Sequence, residues 1–143
     1  LTAVGSMMTG LFFGKLISRL GLMRLHAAAF ALQGVTFLAV PVMATQLASG
    51  LPIMFVYGLF AGILGTLYST TAAAFSRPEQ RGTAMAYAGQ FWGGAQLVVP
   101  TSFGFIAAAA GLDTSLYLSG AIFIVLGFAI PVIYPLMTKH GVK

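Results

Sequence analysis

The chain has 143 residues, of which 59% are hydrophobic and 6% charged, with no cysteine, and its mean hydropathy is +0.96. A water-soluble domain carries about a quarter charged residues, so seven Lys and Arg with two Asp and Glu cannot form its surface, and a disulfide scaffold or thiolate metal site is excluded. The net charge of +5 does not indicate nucleic acid, because the cations lie in three short stretches between long apolar runs, as membrane orientation requires.

Taken in order, the chain opens on an apolar stretch over 1–14 with no initiator methionine, basic leader or small-residue cleavage site. At about 14 residues this stretch is short for a crossing, and it reads as the back part of a helix in a chain that is itself a fragment. A basic segment over 15–24 precedes an apolar run over 25–46, which ends in a turn at Ser49, Gly50 and Pro52. Further apolar runs follow over 52–75, 82–110 and 114–137, separated by the polar segment 76–82 and by Asp113, and the chain closes on Lys139, His140 and Lys143. These runs are apolar all round and too long for strands, so the expected fold is all-α and polytopic, with four full spans and one partial one in a single membrane region. Ser76 with Glu79 three residues later forms a capping-box pattern, Pro78 falls in the first turn, and Asp113 is the N-cap candidate of the last helix.

Five crossings place the segments 15–24, 76–82 and 139–143 on one side, and these hold Lys15, Arg19, Arg24, Arg77, Arg81, Lys139 and Lys143, which is every cation. Independent placement would give that segregation on the order of one time in sixty, so the basic side is assigned to the cytoplasm. The C-terminus is then cytoplasmic and the protein a multi-pass component of the cell (inner) membrane.

The segment GKLISRLGLMR over 14–24 resembles the signature loop of the major facilitator superfamily, G-x-L-x-D-R-x-G-x-x, through Gly14, Leu16, Arg19 and Gly21. Ser18 stands where that family usually has Asp, so half of the charge arrangement that latches its two halves is missing. Two glycines allow a tight reversal and close helix approach, and Arg19 can reach a helix C-terminus. The P-E-Q-R-G segment over 78–82, with Pro100 and Gly104 later in the same run, is similar to the start of the fifth helix of a half. The order of elements covers nearly the whole chain and implies five helices of a twelve-helix transporter. Helices eight to twelve are favoured, because Ser18 is degenerate and no Arg occupies the run 52–75; helices two to six are the alternative.

No proposed full span carries an Asp, Glu, Lys or Arg near its centre, and a titrating carboxylate would belong to the missing N-terminal helices. His26 reads as an interfacial residue. The resemblance implies that the first, third and fourth spans line a central cavity, which makes Gln96, Trp92, Tyr68 and Gln90, with Ser6 on the partial span, the candidate substrate-cavity residues. Trp92 and Gln96 are four apart and share a helix face, whereas Gln33 lies on a span that is peripheral in the family. Pro100 is the gating-hinge candidate, and the pairs Gly10 with Gly14, Gly58 with Gly62 and Gly89 with Gly93 are close-approach candidates.

The resemblance implies a secondary active transporter that moves a small solute by alternating access, with a proton or sodium ion as coupling ion and no cofactor or metal. Uncharged cavity residues suit a sugar-like, neutral or amphipathic solute. The alternative is a non-transporting, truncated or structural membrane protein. An intramembrane enzyme needs a nucleophile with a base, or a metal cluster, at membrane depth. The two histidines fall near the basic side and the two carboxylates in loops on opposite sides, so no enzyme is expected.

Overall fold

A computed structural model describes residues 1–140, with side chains as far as Leu136. Lys143 lies outside the described residues, as do the side chains of Lys139 and His140. Five helices follow one another: α1 (Thr2–Leu20), α2 (Leu22–Met43), α3 (Leu47–Ala74), α4 (Arg81–Ala110) and α5 (Leu112–His140). No strand occurs among the described residues. Four of the helices, α2 to α5, are long and apolar enough to cross a membrane. In α1 the polar residues Thr2, Ser6 and Thr9, with Lys15 and Arg19 in its last turns, dilute the apolar character.

The 15–24 segment is not a loop. Helix α1 continues through Gly14, Leu16 and Arg19, and the chain reverses at Gly21 alone, with φ 75 and ψ 161, a backbone region essentially confined to glycine. Gly14 takes no part in the reversal, and a methyl group there would meet nothing within 4 Å. Gly111, at φ 91, turns α4 into α5 in the same one-residue manner.

Three helix starts differ from the sequence reading. Helix α3 begins at Leu47 rather than at Pro52, because Gln46 is extended and the Ser49 hydroxyl bridges the carbonyls of Met43 and Gln46, tying the end of α2 to the start of α3. The capping box does not form. Ser76 Oγ donates instead to the Ala73 carbonyl at 3.3 Å, closing α3. Pro78 forces Arg77 into an extended conformation, and a 3-10 turn at Pro78–Gln80 leads into α4. Asp113 is not an N-cap, since Gly111 has already turned the chain; it lies in the first turn of α5, where a carboxylate still complements the helix dipole.

The tightest pairings are α2 with α5 and α1 with α3, followed by α2 with α3. Helix α4 touches only α3 and α5 apart from its own leading turn, and makes no contact with α1. Helix α3 thus has α1, α2 and α4 as neighbours, and α5 has α2 and α4. Glycines set both tight pairings. Gly58 lies against the Thr2 backbone and a methyl group at Gly62 would come 2.7 Å from Ser6 Cα, while one at Gly34 would come 2.7 Å from the Gly120 carbonyl. In an apolar solvent, backbone proximity and dispersion drive helix association. At the Gly21 end, Leu25, Ala29 and Leu67 form the buried centre, with Leu16 and Ile17 of α1 against it. Farther along, Phe123 of α5 contacts Phe30 and Phe37 of α2 at 5.5 and 5.4 Å, and Phe37 meets Tyr57 of α3 edge-on at 5.5 Å.

The chain of turns brings the end of α1, the start of α2, the end of α3 and the start of α4 to one end of the bundle. Thr71 of α3 lies 3.4 Å from His26 of α2, which fixes that juxtaposition. Lys15, Arg19, Arg24, Arg77 and Arg81 therefore share one end, opposite Asp113.

Candidate functional site

The α3–α4 seam holds the most developed meeting of candidate residues. Tyr68 and Trp92 stack with ring centroids 5.4 Å apart and planes tilted by 38°. The Tyr68 hydroxyl is enclosed and makes no hydrogen bond. An enclosed hydroxyl without a partner destabilises by about 1–3 kcal/mol, and water or a solute oxygen reaching it would offset that cost. The neighbouring hydroxyls on α3 are committed locally: Thr66 donates to Gly62, and Ser69 and Thr70 to the Thr66 carbonyl.

Helix α4 has no buried residue. Gln96 is exposed one turn beyond Trp92 and on the same face. Gln90 is exposed as well, but the two residues that separate it from Trp92 turn the helix by about 200°, and it belongs to a shallow face with Tyr87, Phe91 and Val98. Gln90 and Trp92 thus do not meet. Pro100 is exposed and leaves the helix unbroken; the hydroxyls of Thr101 and Ser102 donate to the carbonyls of Leu97 and Val98 beside it. Ser6 lies in the α1–α3 seam and donates to the Gly58 carbonyl at 2.9 Å, while Thr9 beside it donates to the Leu59 carbonyl. Of the five candidates, then, Tyr68 and Trp92 are in contact, Gln96 is adjacent, and Ser6 and Gln90 lie elsewhere.

A second polar cluster falls outside the candidates. His26 is half-buried near the basic end, stacked on Phe30 at 6.0 Å, with the Thr71 hydroxyl 3.4 Å from Nδ1 and the Tyr134 ring at 6.2 Å. Tyr134 also meets Phe75 edge-on at 5.4 Å. Its enclosed hydroxyl lies near Thr71 without reaching hydrogen-bond geometry. Three helices supply this cluster, and no spacing within one helix signals it. Gln33 is the third polar feature, 2% exposed, with its Oε1 unpaired.

Among the described residues no group of three or more His, Asp or Glu could hold a metal. The arrangement offers aromatic faces, one unpaired phenol and an amide, which can stack on and hydrogen-bond a neutral molecule but supply no charge. The fold is that of an all-helical bundle with four helices long and apolar enough to cross a membrane. Compared with family models, with curated proteins and with solved structures, the chain finds no match.

Proposed function

We propose that the chain is part of a secondary active transporter of the major facilitator type, helices eight to twelve of twelve, which moves a small neutral or amphipathic solute by alternating access. The observation that supports this reading is the order of contacts: α3 neighbours both α1 and α4, while α2 and α5 form the tightest pair, in keeping with the division into cavity-lining and peripheral helices that the resemblance implies. Tyr68, Trp92 and Gln96 then face the solute path from the α3–α4 seam, and the unpaired Tyr68 hydroxyl is the group that helix movement would supply with a partner. Pro100 interrupts the backbone ladder of α4 one turn beyond Gln96 and is the hinge of that movement. The basic end of the bundle faces the cytoplasm, the C-terminus with it, in the cell (inner) membrane.

The test is solute flux into proteoliposomes carrying the full-length transporter, measured with a panel of neutral solutes under imposed proton and sodium gradients. Trp92→Ala and Gln96→Ala are expected to raise the half-saturating solute concentration by about tenfold each, the effect of losing one good contact of about 1.4 kcal/mol, and Pro100→Ala to slow transport. Unchanged affinity in both cavity variants would remove the site assignment, and absence of flux for every solute and gradient would remove the transporter reading.

A further inference from the structure

A groove of about 370 Å³ runs between α1 and α3, with Phe12, Leu16, Leu59, Phe60 and Ile63 as its walls. Lys15 and Arg19, one helical turn apart, close one end of it. Both cations are exposed, and neither forms an ion pair with the two carboxylates of the chain. The depth of the groove presents no free donor, because the Thr9 hydroxyl is committed to the Leu59 carbonyl at 2.9 Å. From Arg19 to Thr9 the groove follows ten residues of helix, about 15 Å, which is the depth of one leaflet of a hydrocarbon core about 30 Å thick.

We infer that this groove is a binding site for an anionic phospholipid, its phosphate held by Lys15 and Arg19 and one acyl chain laid along the apolar wall between α1 and α3. The charge complementarity and the depth single out this occupant. A soluble anion would gain nothing from the apolar floor, and a zwitterionic lipid brings a headgroup cation of its own beside Lys15 and Arg19, which repels them. A basic mouth over an apolar cleft at the headgroup level is the arrangement that retains anionic lipids. The inference needs α1 to lie in the bilayer against α3, to which it is tightly packed, and it stands apart from the transport reading.

The absence of cysteine allows a fluorophore to be placed at Phe12→Cys in the groove, and in a second sample at Val125→Cys on an exposed face of α5. The full chain is reconstituted in vesicles holding increasing fractions of phosphatidylglycerol or phosphatidylcholine with brominated acyl chains, and quenching is read at each position. Each cation near the surface contributes about fivefold, so half-maximal quenching at position 12 should need roughly thirtyfold less phosphatidylglycerol than phosphatidylcholine, with no difference at position 125. The preference should vanish in Lys15→Gln with Arg19→Gln, persist in the exchange Lys15→Arg with Arg19→Lys, and persist in Arg81→Gln. Equal quenching by the two lipids at position 12 in the chain with its native cations would overturn the inference, whatever the variants do. So would a preference that survives loss of both cations or that also vanishes in Arg81→Gln. Relief of quenching by inorganic phosphate would overturn it too, by making the site one for a soluble anion.

Discussion

A methyl group has no room at Gly34, where it would press on the Gly120 carbonyl, and ample room at Gly89, where nothing lies within 4 Å. Gly34→Ala is therefore expected to lower stability by about 1–3 kcal/mol, the range for overpacking, because backbone on both sides must move. Gly89→Ala should be neutral or stabilising by at most about 1 kcal/mol, through helix propensity alone. Unfolding of the purified chain in detergent, followed by circular dichroism, distinguishes the two; equal losses would mean that the α2–α5 contact is looser than described. Gln33 gives a second residue-scale expectation. Its Oε1 is buried and unpaired, so Gln33→Met, which keeps the shape and removes the amide, should hold or raise stability by about 1 kcal/mol. A clear loss would reveal a partner for the amide.

At the scale of elements, α4 is the helix that the rest of the chain holds least, with contacts to α3 and α5 only. The Tyr68–Trp92 stack is its one aromatic tie to α3. A double-mutant cycle of Tyr68→Leu and Trp92→Leu should give a coupling of about 0.5–1.5 kcal/mol, as for other aromatic pairs beyond their area burial; zero coupling would show that the rings are neighbours without interacting. The sequence marks Trp92 and Gln96 as one face through their four-residue spacing, and that relation holds in α4. The two-residue spacing of Gln90 from Trp92 sets it on the other face by the same geometry; which of the two faces meets α3 is open until the neighbouring helix is placed. The helix starts at Leu47 and Leu112 escape sequence reading for a related reason. Gly21 and Gly111 turn the chain in one residue each, and Ser49 and Ser76 cap the preceding helix rather than the next, a choice that both directions of hydrogen bonding leave open.

For the whole molecule, the five described cations at one end and Asp113 at the other predict a fixed sidedness. In right-side-out cells, Thr45→Cys should react with a membrane-impermeant maleimide from outside, and Ser18→Cys only after the membrane is opened. The reverse pattern would invert the orientation proposed above, and labelling of both in intact cells would exclude a fixed topology. Composition and run length alone determined that the chain is helical and carries four helices able to cross a membrane, since few charges and apolar stretches of more than 20 residues admit no other backbone in lipid. Tertiary structure decided which helices touch. The glycines that pair α1 with α3 and α2 with α5, the Tyr68 and Trp92 rings, the His26, Thr71 and Tyr134 cluster, and the groove under Lys15 and Arg19 all join residues on different helices. When every face of a helix is apolar, its sequence holds no stripe to say which side meets protein and which meets lipid; that is settled only by the fit of one backbone against another.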